Sequence, residues 1–388
     1  MDLDASFGKS FGRPPKIETR APGRVNMLGE HVDYNQGVVL PAAIDRDVHL
    51  VVAPTTEDMV TLHAFDLGEK VTFSLHELEG KRDLSGEGLP DWALYPAGVA
   101  WSMQKQGFTL SGMQAVYTSN IPIGAGLSSS AAVEVAFAAT WRELSGFEMD
   151  NLELARLCQR AENEYVGVSS GLMDQFASAC GVEGHVLCFD TRSLEWSALQ
   201  LPPGTAIVIA DSGVRRSLTS SAYNDRRAAC EQAVELLKKY LPEVQSLRDV
   251  SSVELAAYSV YLPPVVAQRA EHVIKEIHRV DQAIIALHKG DARMFGGFMY
   301  ASHKSLRDLY GVSIPELDYL VEVARALPGI YGARLTGAGF GGCTVNLVED
   351  MQANSFIQGL KHGYREKTGR EAPVYLCQAS QGAQTRLL

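Results

Sequence analysis

The chain has no Cys-x-x-Cys pair. Its six cysteines, at 158, 180, 188, 230, 343 and 377, are scattered along 388 residues, which argues against a disulfide framework and reads as buried thiols in a reducing compartment. A basic excess is also missing. With 35 Lys and Arg against 46 Asp and Glu, the formal net charge is −11, so there is no electrostatic footprint for DNA, RNA or an anionic membrane. No apolar run approaches the length of a membrane span. No signal peptide, internal repeat or low-complexity tract stands out. These absences leave a cytoplasmic enzyme as the expectation. A phosphate ligand would then be held locally, by a helix N-terminus, a few basic side chains and a metal ion.

What is present is ordinary globular material, 46% hydrophobic and 21% charged. At ~100–200 residues per domain the length allows one large or two medium domains. Residues 1–20 are polar, so the fold is expected to start near Ile17. Alternation over 38–53 and 59–75 predicts antiparallel strands. A helix over Trp92–Gln106, a strand at Met113–Tyr117 and a helix from the Ser128 region to Leu144 follow. Leu154, Leu157, Cys158, Ala161 and Tyr165 mark one face of another helix. A short helix is expected at Leu172–Ala179 and a strand at His185–Phe189. Leu201-Pro202-Pro203-Gly204 is the best boundary, dividing the chain into 17–200 and 205–388. Beyond it lie a strand at Ala206–Ala210, long helical patterns at Ala222–Tyr240 and Pro264–His288, and a capping box at Ser313–Glu316. The pattern ends in strand, glycine loop, strand (Tyr331 to Val348) and a strand near Pro373–Cys377. Antiparallel strands mixed with helices predict an α+β fold.

Three stretches carry chemistry. Gly124-Ala125-Gly126-Leu127-Ser128-Ser129-Ser130 runs from a glycine-rich turn into an Ala-rich helix. Such a turn permits close backbone approach, and the first N–H groups of the helix attract phosphate. A plain Ser N-cap is the alternative there. Ala21 to Asn35 places Arg24, Glu30, His31 and Asp33 within ten positions among Pro, Gly and apolar residues. That mixture suits a polar site for a polyol's hydroxyls better than a solvated loop. In Gly167–Phe176, Asp174 stands among apolar neighbours, as a poorly solvated acid or as a helix cap. Glu162 continues the row 154, 158, 162 and is read as either paired or metal-binding.

Two strings mislead. Gly337 to Gly342 fits G-x-G-x-x-G, but a strand follows it where a dinucleotide site needs a helix. Gly8-Lys9-Ser10 has the ending of a P-loop without its first glycine, and reads as tail.

With those residues in view, the chain resembles the galactokinase branch of the GHMP kinase family from Ala21 onward. Gly23–Asn35 is similar to the galactokinase signature, Gly124–Ala131 to the family's ATP loop and Leu335–Cys343 to its third glycine-rich motif. The stretches Asp91–Gly98, Met173-Asp174-Gln175 and Ser302–Arg307 also match. The resemblance implies a two-domain fold, an N-terminal ribosomal-protein-S5-domain-2-like domain and a C-terminal ferredoxin-like α/β domain, with the active site in the cleft between them. The last strand could return to the first domain. It implies ATP-dependent phosphorylation of the anomeric hydroxyl of α-D-galactose. Asp174 would take the proton and Arg24 would pair with it and offset phosphoryl charge. Glu30, His31, Asp33, Gly171, Asp174 and Tyr223 would hold galactose. Gly124 to Ser130 would wrap the ATP phosphates, and Ser130 with Glu162 would hold Mg²⁺. Gly337–Gly342 would line the cleft, the Trp92–Tyr95 neighbourhood would meet adenine, and a monomer is expected. His303 is read as structural. Val32, Ser170 and Met27-Leu28 depart from the common pattern and bear on fine sugar specificity. The alternatives are the same chemistry on N-acetylgalactosamine or arabinose, and a catalytically silent sugar and ATP sensor. Intact Ser128–Ala131, Arg24 and Asp174 speak against the sensor.

Overall fold

The computed structural model describes residues 2–215 and 219–388. Helix α1 (Leu3–Phe11) is followed by β1 (Ile17–Asn26), β2 (Val38–Val39), β3 (Pro41–Pro54), β4 (Met59–Ala64) and β5 (Glu69–Ser74). Then come α2 (Asp91–Lys105), β6 (Met113–Ser119), α3 (Ser129–Ser145), α4 (Asn151–Arg160), α5 (Met173–Cys180), β7 (His185–Asp190) and β8 (Trp196–Gln200). The second half runs β9 (Thr205–Asp211), α6 (Thr219–Leu237), α7 (Ser252–Tyr258), α8 (Pro264–His288), α9 (Ala292–Ser305) and α10 (Pro315–Ala326). It closes with β10 (Ile330–Thr336), β11 (Cys343–Glu349), α11 (Ala353–Thr368), β12 (Val374–Cys377) and β13 (Gln384–Leu387).

Three sheets result, in the orders β13-β1-β3-β6-β4-β5, β10-β11-β9-β12 and β2-β7-β8. Among the described strands every pairing is antiparallel except β4 with β6, so the fold is α+β as expected. Strand periodicity builds the layers. On β3, Val48, Leu50 and Val52 face the main core, while Val51 and Ala53 face the opposite side with Leu3 and Phe7 of α1. The last strand, β13, pairs with the first, joining Ile17 to Leu387 and Arg20 to Gln384.

Three local expectations need correction. Residues 3–11 are not a tail: Leu3 and Phe7, one turn apart, seat a helix that carries Gly8-Lys9-Ser10, and Asp2 caps it by accepting from the Ala5 amide at 3.0 Å. Strand β1 was hidden by Pro22 and Gly23, where the register shifts against β3. That irregularity lies at the start of the polar Arg24–Asp33 run. At Ser313 no capping box forms. Pro315 starts α10, Ile314 is the cap residue, and the Ser313 hydroxyl donates to Asp318 at 2.6 Å instead.

Candidate functional site

The end of β1, the turn before α3 and the start of α5 meet around a cavity of about 350 Å³. Its wall includes Arg24, Glu30, His31, Asp33, Tyr95, Gly124, Gly126, Ser128, Ser129, Ser130, Glu162, Gly171, Asp174 and Tyr223. Two residues 150 positions apart anchor it. Arg24 donates through Nε to Asp174 Oδ1 at 2.8 Å and through Nη2 to Oδ2 at 2.7 Å, a bidentate pair. Its third nitrogen donates to the Gly126 carbonyl at 2.8 Å. The Arg24 amide bonds Leu127 O at 3.0 Å, an approach possible because a Cβ on Gly23 would lie 2.6 Å from that same oxygen. The strand therefore holds the turn by backbone and side chain together. Ala125 and Leu127 bury their side chains in the core and do not line the cavity.

The three serines serve different partners. Ser128, at φ 59, caps nothing with its side chain and donates to Asp174 Oδ2 at 2.6 Å. Ser130 donates to Glu162 Oε1 at 3.3 Å. Ser129 opens α3 and faces the cavity, where free helix N–H groups and the helix dipole favour an anion. Asp174 is not sunk in apolar surroundings as its neighbours in sequence suggest; its side chain is 28% exposed, toward the cavity. Nor does it cap α5, whose cap residue is Leu172.

Opposite lies the loop from Gly29 to Asp33. Glu30 pairs with Arg334 of β10, both fully buried. Burial nonetheless raises the Glu30 pKa, with Arg334 opposing it. His31 Nδ1 is 2.8 Å from the Tyr34 hydroxyl, and the ring also meets the Ala338 backbone. Burial and the nearby His272 push the His31 pKa well down, so the ring is neutral. Asp33 packs directly on the backbone of Gly171, where a Cβ would lie 1.8 Å from Oδ2. Loss of water and the charge of Asp174 raise its pKa to about 7. Tyr223 closes this side, 5.7 Å from the His31 ring and 5.6 Å from Tyr34.

Glu162 sits in the π-helical turn Ala161–Val166 that continues α4. It accepts from Ser130, from Ser170 and, at 2.9 Å, from the Gln175 amide, which also donates to Glu134 at 2.9 Å. Burial raises the pKa of both carboxyls. Of the loop 337–342 only Ala338 lines the cavity. Tyr95 does too, whereas Trp92 is turned to Glu69, 2.6 Å away. His303 does not line it. It ties α9 to β10 and α10, accepting from the Leu335 amide at 3.3 Å and lying 3.1 Å from Asp318. Sequence reasoning missed Arg334 and Gln175 as site residues. Gln175 adjoins Asp174, and Arg334 is a lone cation in an apolar strand; those were the available signals.

Three family descriptions match the chain: the galactokinase galactose-binding signature at 5–54, the GHMP kinases N terminal domain at 95–182 and the GHMP kinases C terminal domain at 283–366. A galactokinase from Roseiflexus sp. is 45% identical over 98% of this chain and 96% of its own length. The human galactokinase is 43% identical over 99% of this chain and 95% of its own. The chain belongs to the galactokinase family. The crystal structure of Lactococcus lactis galactokinase complexed with galactose superposes with a TM-score of 0.93 at 32% identity, covering 98% of each chain. The two-domain GHMP kinase architecture of the galactokinases is thus the architecture here.

Proposed function

We infer that this protein is a galactokinase, transferring the γ-phosphoryl group of ATP to the anomeric hydroxyl of α-D-galactose. The observation that carries the reading is the Arg24–Asp174 pair lying in one cavity between the Glu30–Asp33 loop and the turn opening α3. We assign Asp174 to accept the proton of the anomeric hydroxyl, with Arg24 fixing the carboxylate and facing the charge of the transferring group. Phosphoryl transfer asks a protein mainly to position reactants and neutralise charge. Gly124 to Ser130 then bind the ATP phosphates through the N-terminus of α3. Glu30, His31, Asp33, Gly171 and Tyr223 hold galactose. His31, neutral and facing the cavity beside the Ala338 backbone, offers a ring nitrogen to one sugar hydroxyl, and the carboxylates supply acceptors for others. Wrong sugars would leave these groups unpaired, a strong penalty.

Ser130 and Glu162 fit a Mg²⁺ site: two oxygen donors at the phosphate end, one a carboxyl whose burial a cation would offset. No cluster of three or more His, Cys, Asp or Glu ligands exists among the described residues. Mg²⁺ commonly takes one or two protein ligands and completes its shell with phosphate and water. When bound it would neutralise phosphoryl charge. We further assign the domain division to residues 201–204. We place the protein in the cytoplasm as a monomer, consistent with the free thiols Cys158, Cys180, Cys188, Cys230 and Cys377. No helix among the described residues is long and apolar enough to cross a membrane.

ADP release with Mg·ATP and a panel of free sugars tests the reading. Galactose-dependent turnover is the expected result. Turnover with another sugar alone, or binding of both ligands without ADP, overturns it.

A further inference from the structure

The groups that touch the cavity do not explain why the loop before Asp33 keeps its shape. Gly29 has φ 90 and His31, a non-glycine residue, has φ 63, a left-handed geometry disfavoured for side chains with a Cβ. What holds it comes from the other half of the chain. Glu276 of α8, fully buried, accepts the Gly29 amide at 3.1 Å through Oε1, which also takes the Ser302 hydroxyl at 2.6 Å. Its other oxygen pairs with Arg279. One turn earlier His272, also fully buried, places Nε2 3.3 Å from the Glu30 carbonyl and Nδ1 2.8 Å from the Ser305 hydroxyl. Its ring lies 4.5 Å from Tyr310, whose hydroxyl meets that of Tyr34 at 2.7 Å, which in turn meets His31.

Residues four apart on a helix share a face, so one rigid helix grips two peptide units of the loop, Leu28–Gly29 and Glu30–His31, over 240 positions away in sequence. A buried carboxylate is costly unless its oxygens are satisfied. Those of Glu276 are satisfied partly by the loop's own backbone. Neither Glu276 nor His272 lines the cavity, so neither can bind sugar directly.

We propose that Glu276 and His272 are positioning residues for sugar recognition, holding the Gly29 amide and the Glu30 carbonyl so that Glu30, His31 and Asp33 meet the hydroxyls in one fixed pattern. The second domain thereby governs specificity at a loop that belongs to the first. This rests on the galactose reading above.

The test is calorimetric binding of galactose, of 2-deoxygalactose and of a non-hydrolysable ATP analogue to the full chain. If an unclamped loop holds the binding geometry a tenth of the time, apparent galactose affinity falls ~10-fold. E276A is expected to show a loss of about that size or more, and H272F, which keeps a ring against Tyr310, a somewhat smaller one. Nucleotide affinity should stay within about twofold, and the preference for galactose over 2-deoxygalactose should shrink. E276Q retains an oxygen acceptor for Gly29 and should recover most of the galactose affinity. Parallel loss of galactose and nucleotide binding, or wild-type galactose affinity in both E276A and H272F, overturns the clamp. D33N separates the two levels. If it weakens galactose binding while E276A and H272F do not, only the clamp fails. If it too leaves galactose binding untouched, the sugar site itself is misassigned.

Discussion

Asp174 and Asp33 stand in the same cavity and are built in opposite ways. Asp174 receives two guanidinium hydrogen bonds and a serine hydroxyl, and keeps a face open to the cavity. Asp33 forms no ion pair among the described residues; the Tyr34 backbone and the charge of Arg24 only partly offset its burial. It rests on the bare backbone of Gly171, and loss of water with the charge of Asp174 moves its carboxyl to about 7. One acid is fixed and compensated in advance; the other is left for a ligand to satisfy. On the proposed roles, that contrast would separate chemistry from recognition within one cavity, because a group awaiting hydroxyl donors discriminates between sugars. A group already oriented would shape the transfer step instead.

The largest break in the comparison should come at Asp174. D174N keeps the shape but gives up the acceptor charge, so turnover should fall by about 10²–10⁴, the usual range for a positioned acid or base. Galactose and nucleotide affinities, measured separately by calorimetry, should change far less. An equal fall in nucleotide binding would break the assignment. G171A attacks the other acid. Its new Cβ would sit 1.8 Å from Asp33 Oδ2, which no small adjustment relieves, so Asp33 must move. The KM for galactose should rise roughly 10–100-fold with the KM for ATP nearly unchanged, since the displaced group discriminates hydroxyls.

The pH dependence sharpens the difference further. Asp33 in the folded protein sits at about 7, above the ordinary 3.8, so the native state holds its proton more tightly than the unfolded chain. This group's contribution to stability is therefore full below about 4, declines as pH rises toward 7, and is flat above. D33N should remove that decline and raise Tm more at pH 8 than at pH 5. Sugar hydroxyls favour the ionised acid. Galactose affinity should thus climb with pH to about 7, at most about tenfold per unit, with proton release visible in buffers of different ionisation enthalpy. A flat affinity profile in the wild type, or an unchanged slope in D33N, would remove Asp33 from this role.

How much of this was legible in the sequence follows from the range of the interactions. The turn opening α3 announced itself because glycine, hydroxyls and a helix are adjacent in the chain. Periodicity alone places α8 at Pro264–His288, and the helix has the same bounds. Arg24 and Asp174 were paired only through the family resemblance, since nothing local links positions 150 apart. That Arg334 meets Glu30, and Glu276 meets Gly29, is not legible in sequence. Arg334 stands out as a lone cation in an apolar strand and Glu276 is one of several charged residues in its helix, but in each case the partner is chosen by the packing of two halves. β1 is obscured by Pro22 and Gly23, which stand where its register shifts just before Arg24. The sequence pattern failed where backbone irregularity serves the site, as local rules do at such places.

The smallest effect should come from Ser128, and it decides how fully Asp174 is fixed in advance. Its hydroxyl, 2.6 Å from Oδ2, is the one donor to that carboxylate among the described residues not supplied by Arg24. In S128A the bidentate guanidinium contact remains, so the carboxylate keeps its direction and loses a single hydrogen bond of about 1–2 kcal/mol. Turnover should fall ~5–30-fold, well short of D174N, and the double variant S128A/D174N should cost little more than D174N alone, because the serine acts only through the acid. Additive losses in the double variant would mean that Ser128 works on the phosphate instead. The two aspartates would then differ less than their surroundings imply.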